Sequence, residues 1–277
     1  MTGGALRPYR AIISARFRML LQYRAAAIAG LWTQLVFGLA LIMIYQALYR
    51  SSPAAVQPMA FAQLASYVWL GQALLAMLPW NVDAEVRDMV RSGAIAYELA
   101  RPVDLYGLWY ARAVAQRTAP TVLRAAPRVV FAGFVLPLLG AADWQLAPPP
   151  SLAAGAGFVD ALAAALALSC AISVLVNISL MWTLGSDGVV VLFTTTVALL
   201  SGLMIPLPLF PGWAQGALGW LPFAGVFDLP FRIYAGHLAA GDLAIVLARQ
   251  LGWTVALIAL GRWLLGRGMR RVVVQGG

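Results

Sequence analysis

The amino-acid sequence predicts an all-α, polytopic membrane protein of six transmembrane helices. Hydrophobic residues fill 62% of its 277 positions and charged residues only 10%, against roughly 25% charged in a soluble domain. Several apolar runs exceed the ~20 residues that cross ~30 Å of hydrocarbon as helix, and the ten-residue alternation of a barrel strand is missing. The net charge of +9 arises without a single lysine. The arginines flank apolar runs and do not gather on a soluble basic face, which argues against a nucleic-acid partner.

Residues 1–277 read as one transmembrane domain. Positions 7–24 form a helix with Arg7, Arg10, Arg18 and Arg24 toward one side and Tyr9, Ile12, Met19, Leu20 and Tyr23 toward another, while Arg16 interrupts the apolar side. A basic amphipathic helix before a span lies at the cytoplasmic headgroups, in contact with membrane lipids; contact with a partner subunit is the second reading. These arginines also interrupt any signal-peptide core, so the first span is expected to be an uncleaved anchor.

Spans are expected at 26–49 and 60–80, joined by a short loop with Pro53 and Pro58. Next comes a polar island, 81–104, with the sequence NVDAEVRDMVRSGAIAYELARPVD. It holds Asp83, Glu85, Asp88, Glu98 and Asp104, half of the chain's 10 acids. A charge near mid-bilayer costs about 2.5–3.5 kcal/mol on insertion scales, so the island lies in water. Its helical part, about 82–91, places Val82, Val86, Met89 and Val90 on one side and spaces Asp83 with Arg87 and Asp88 with Arg91 for surface ion pairs. Ser92-Gly93 weakens that helix, Arg101-Pro102 marks a turn, and Asp104 caps a following helix bearing the interfacial aromatics Tyr106, Trp109 and Tyr110.

The third span, 119–140, carries Pro120, Pro127 and Pro137. If its helix is continuous from 117, Arg117, Arg124 and Arg128 fall within a ~40° arc. They either snorkel to the inner headgroups or form a basic stripe at the cytoplasmic mouth of a pathway, meeting an anionic substrate or lipid. The fourth apolar segment, 152–183, is longer than a span requires, so the crossing is placed at 161–183 with Asp160 near the outer surface. Gly157, Ala161, Ala165, Ser169, Ser173 and Asn177 repeat every four residues, which favours close helix contact. The embedded Asn177 suits either a pathway or a hydrogen bond to a neighbouring helix.

Gly185 to Gly188 form a tight turn, and the fifth span, 188–208, has Thr194, Thr195 and Thr196 as its polar centre. The proline-rich stretch 211–236 holds apolar pieces too short to cross, 212–220 and 223–235, expected as two short helices re-entering the outer leaflet. The last span is 243–265, with Arg249 ~9 Å inside its outer end by helical rise, placed to snorkel or to pair with Asp160. With both termini cytoplasmic, the inner side receives the N-terminal arginines, those of the island, and Arg267, Arg270 and Arg271. The outer loops hold only Arg50 and Arg232, a strong positive-inside pattern.

Catalytic chemistry finds little support. A phosphate loop of the GxxxxGK[ST] type requires a lysine, so no Walker-type ATP hydrolysis is expected on this chain. Cys170 and His237 are the only residues of their types, which argues against a metal site. Ser201-Gly202 with His237 has no supporting motif for a serine hydrolase. No catalytic residue and no cofactor of the chain's own is expected.

Two strings, RSGAIAYELARP at 91–102 and SGLMIPLPLFPGW at 201–213, together with the six-span layout, resemble the ABC-2 family of ABC transporter permeases, particularly bacterial exporter subunits encoded apart from their ATPase. The resemblance implies a permease in the bacterial inner membrane, served by two copies of an ABC ATPase that carries ATP and Mg. It also implies a second permease, identical or related, with the second and fifth spans near the pathway. The loop between the second and third spans is then the coupling element, with Glu85, Arg87, Asp88, Arg91, Tyr97, Glu98 and Arg101 as candidate coupling residues and Arg117, Arg124, Arg128, Asn177, Thr194 and Thr195 as candidate pathway residues. An ion-coupled carrier working alone and a non-transporting membrane scaffold are the alternatives.

Overall fold

The computed structural model describes residues 7–22, 24–53, 56–79, 82–99, 102–183 and 187–269. Among these the fold is all-helical, with no strand. In chain order the helices are α1 (Arg7–Leu21), α2 (Arg24–Ser51), α3 (Phe61–Leu74), α4 (Ala84–Arg91), α5 (Ile95–Leu99), α6 (Leu105–Val130), α7 (Leu136–Leu138), α8 (Leu152–Thr183), α9 (Asp187–Leu200), α10 (Gly212–Trp220), α11 (Asp228–Tyr234) and α12 (Leu243–Met269).

Among the described residues, four stretches are long and apolar enough to cross a membrane: Gly30–Ser51, Leu105–Leu138, Leu152–Thr183 and Leu243–Met269. The second and fifth expected spans are shorter helices, Phe61–Met77 and Val190–Leu200. The reasons are local. Past Leu74 the chain tightens into a 3-10 turn, Leu75–Met77, and Leu78 is extended. After Leu200 it turns at Ser201-Gly202, where Gly202 has φ +83°, and Pro206 opens a further 3-10 turn, Leu207–Leu209.

The third expected span and the aromatic helix before it are one helical run. Asp104 caps it by accepting from Gly107 N at 2.9 Å, and Pro120 and Pro127 lie inside without ending it. Beyond them Phe131–Val135 forms a π-helical turn, and Ala132 O, which Pro137 has no N–H to serve, accepts from Leu146 N across the following loop. α1 and then α2 run beside this long helix in the same direction. Tyr9 lies against Gly107, where an added Cβ would come within 2.9 Å of the ring, and Gly30 O of α2 accepts from Arg128. The expected interfacial helix is therefore seated against α6, although no α1 residue is fully buried.

α8 is the central post. Its most apolar window is 72% buried, against 17–22% in the other three long stretches, and it packs against α4, α6, α9, α11 and α12. The small-residue ladder explains this, because Gly157, Ala161, Ala165, Ser169, Ser173 and Asn177 are all buried. Gly157, for instance, leaves ordinary contact distance to Ile233 of α11 and Leu243 of α12. Arg249 lies over the Trp220 ring, 4.9 Å from its centroid, and makes no ion pair with Asp160 among the described residues. The ring face is the nearer partner because α10 packs over this part of α12.

The bundle has two distinct ends. At one, α1, α4, the start of α6 and the last turns of α12 converge, with Arg262 of α12 donating to Asp104 at 2.9 Å. α3 starts at the opposite end, where α10, α11 and the loops around 57 and 147 meet. There Gln63 Nε2 donates to Ala235 O at 3.1 Å and Tyr234 Oη to Ala147 O at 3.0 Å.

Candidate coupling site

α4 is built from short-range rules. Asp83 caps it by accepting from Glu85 N at 3.1 Å, Glu85 stands in the first turn and Arg91 in the last, and both charges suit the helix dipole. Its end is marked by Ser92, whose hydroxyl donates to Asp88 O at 2.7 Å, and by Gly93 at φ +72°. Val86 and Ile95, from α4 and α5, are buried in one cluster with Tyr106, Trp109, Cys170, Val174 and Ile178. The polar island thus has an apolar underside, which holds it against α6 and α8.

Asp83 does not form the expected surface pair with Arg87. Only 2% of its side chain is exposed, and it is the hub of a four-charge cluster. Arg112 of α6 donates through Nε to Asp83 Oδ2 at 2.9 Å. Arg16 of α1 reaches Asp83 Oδ1 at 3.2 Å and grips Glu85 with a two-pronged fork at 2.9 and 3.0 Å. Arg112 Nη2 also donates to Glu85 Oε2. Two carboxylates and two guanidiniums balance, so a charged cluster survives at a largely buried position. Arg16, which looked like a break in an apolar face, is one of its arms. Neither Arg16 nor Arg112 was expected to have a role, and their only sequence signal is cationic residues left in otherwise packed helices.

Burial alone would raise the Glu85 pKa, but the Arg16 and Arg112 guanidiniums outweigh it and hold the carboxyl below the ordinary range. A lowered carboxylate pKa contributes stability above the unfolded value that is lost as pH falls through the folded one. Thermal stability is therefore expected to change little through this group between pH 7 and about 5 and to fall below about pH 4. Glu85→Gln should shrink the acid-dependent part of a melting-temperature series; an unchanged acid limb would show that Glu85 contributes nothing.

A polar seam continues the cluster into the bundle at the four-residue spacing of α8. Asn177 Oδ1 accepts from Asp83 N at 3.1 Å. One turn back, Ser173 Oγ accepts from Arg117 at 3.1 and 3.2 Å, and Arg117 Nη1 donates to Leu78 O at 2.7 Å. A further turn back, Ser169 Oγ donates to Met77 O. These rungs satisfy backbone groups left over where α3 ends and α4 begins. Displacing α4 must therefore strain α1, α6 and α8 together.

Of the candidate pathway residues, only Arg117 and Asn177 come together, on neighbouring rungs of the seam. Arg117, only 4% exposed, belongs to the seam and not to an open stripe. Arg128 is buried and reaches back to Gly30 O at 3.4 Å, while Arg124 is half-buried. Thr194 and Thr196 return their hydroxyls to Val191 O and Leu192 O of their own helix, and Thr195 is exposed. Of the candidate coupling residues, Asp88, Arg91 and Tyr97 are exposed, Tyr97 by 80%, and Arg87 is half-buried. Glu98 is turned inward and buried. Arg101 lies outside the described residues, as do Arg270, Arg271, and Gly185 and Ser186 of the expected turn, whose Asp187 and Gly188 belong to α9.

Ser201 and His237 are engaged separately, the hydroxyl with Ala198 O and the imidazole with Arg232 and Pro58 O. Among the described residues no group of three or more His, Cys, Asp or Glu is placed to hold a metal ion.

A family model described as "ABC-2 family transporter protein" matches residues 35–276. The match takes in α4, Arg112 and the whole seam, and begins after α1. No curated protein and no solved structure matches the chain.

Proposed function

The chain belongs to the ABC-2 transporter family, and from that premise we propose that it couples a separately encoded ATPase to export through its α4–α5 segment. As a member of the family it is a multi-pass permease, the membrane subunit of an ABC transporter. Two ATPase copies carry ATP and Mg and close on each other. The α4–α5 segment rides on one of them, and a second permease, identical or related, completes the pathway.

The observation that carries this reading is the coexistence of an exposed face, Asp88, Arg91 and Tyr97, with a buried underside tied to three helices through Asp83. A force applied to the outer face has a rigid route into the bundle. Orientation follows the same logic, since the end that bears α1 and α4 also gathers most of the arginines, as a cytoplasmic side does. Both termini are then cytoplasmic, in a bacterial inner membrane, with α3 and α9 as short crossings that bring the count to six. Arg128, buried against α2 with Gly30 O as its acceptor, favours a packing role over one on the pathway.

The test is recovery of the partner. Purified from its native membrane in mild detergent, the chain should bring an ATPase with it. Arg91→Ala with Tyr97→Ala should lower that recovery by about tenfold or more, the effect of losing a central aromatic and arginine anchor. A chain that brings no ATPase in gentle lipid discs would overturn the reading and favour a self-sufficient carrier.

A further inference from the structure

We propose that Asp228, Arg232 and His237 form a proton-sensitive latch that holds together the end of the bundle opposite α4, with His237 as its positioning residue. Asp228 of α11 is fully buried. Its Oδ1 lies 3.0 Å from Tyr67 Oη of α3 and accepts from Leu207 N at 3.2 Å, while Oδ2 accepts from Arg232 Nη1 at 3.3 Å. Arg232 uses its remaining edge on His237, donating from Nε to Nδ1 at 3.0 Å. The ring's other nitrogen, Nε2, stands 3.1 Å from Pro58 O in the loop between α2 and α3. One continuous chain of polar contacts thus joins the α2–α3 loop, α3, the turn after α9 and α11.

This geometry admits one protonation state of the ring. Nδ1 accepts from a guanidinium that stays protonated at any accessible pH, and Pro58 O can only accept, so Nε2 carries the proton and the imidazole is neutral. A second proton would place an N–H and a positive charge at Nδ1, facing the N–H and charge of Arg232. Two donors cannot share that contact. The charged groups around it are Arg232 and Asp228 of α11, with Tyr67 of α3 beyond the carboxylate and Arg249 of α12 within electrostatic reach of Arg232 and Asp228. The Asp228 carboxylate is already engaged by Tyr67, Leu207 and Arg232, so it has no free edge with which to neutralise a charged ring.

Protonation therefore expels the ring and releases Pro58. The backbone turn stays closed, because His237 N and Leu238 N both donate to Arg232 O, at 2.9 and 3.0 Å. The expected event is local opening of the α2–α3 loop, not unfolding. His237 is the chain's single histidine and its one side chain of a type that ordinarily titrates between pH 5 and 8.

The experiment is amide hydrogen exchange on the purified chain in lipid discs, normalised for the intrinsic pH dependence of exchange, at about pH 7.5 and about pH 5.5. Protection of the amides of residues 56, 57, 59 and 60 is expected to fall about tenfold at the lower pH, while residues 232–238 and α8 are unaffected. His237→Gln and His237→Asn, which do not titrate, should give the same protection at both values. A wild-type chain whose protection ignores pH, or variants that lose protection in parallel with it, would overturn the latch. Neither nucleotide nor a partner ATPase is present in the measurement, so its outcome is independent of the coupling reading.

Discussion

Replacing Asp83 with alanine is expected to lower the stability of the chain by about 3–5 kcal/mol, the effect of removing one member of a buried charge cluster. Three losses coincide. α4 loses the side chain that caps it, Arg112 at 9% side-chain exposure loses its buried acid, and Arg16 and Arg112 are left to share Glu85. Asp83→Asn separates the first loss from the others, since asparagine caps a helix nearly as well as aspartate but carries no charge. Its melting temperature should therefore stay close to that of the alanine variant. Asp83→Ala leaves two guanidiniums over one carboxylate; pairing it with Arg112→Met removes the surplus cation, leaves Arg16 with Glu85, and should recover much of the stability. Equal stability of Asp83→Ala and the native chain in a detergent melt would dissolve the cluster as a structural element. Transport should fail even in the better-folded double variant, because α4 has lost its tie to α6.

Gly202→Ala is the second large effect, and it falls at the far end. With φ at +83°, an L-residue there costs about 1–2 kcal/mol in backbone strain. The added Cβ would run into Tyr67 Oη and lie 3.0 Å from Asp228 Cβ, so overpacking adds about 1–3 kcal/mol. Tyr67 cannot simply withdraw, since it is buried and its hydroxyl lies 3.0 Å from Gly202 O. Gly93→Ala is the matched control: its φ is +72° but nothing lies within 4 Å of the new carbon, leaving only the strain. A melting series that ranks the two variants equally would refute the close contact beneath Gly202.

Much of this architecture is written in short-range patterns. The Asp104 cap, the short helices after Pro211 and Pro222, and the tight packing of the α8 ladder each depend on residues within a few positions of one another. The lengths of α3 and α9 were less legible. Hydropathy alone runs on through Leu75 to Leu78 and through Ser201 to Pro208, whereas the backbone changes course at Leu75 and at Gly202. The charged cluster was not legible at all. Helical spacing offers Arg87 as the natural partner for Asp83, and nothing local says that a guanidinium from α1 and another from α6 will be closer. The same holds for Arg117, which shares an arc with Arg124 and Arg128 but finds its acceptors on α8 and at the end of α3.

The span of sequence across that cluster sets an order on biogenesis. Arg16 is separated from Asp83 by 67 positions, and Asp83 from Arg112 by 29. During synthesis α1 leaves the ribosome with a guanidinium that has no acid to meet until α2 and α3 have followed, and its seat along α6 does not yet exist. Until then the first helix can only rest on the anionic face of the membrane. α6 must emerge before α1 is fixed in place, so a helix made well before its neighbours is among the last to be finished.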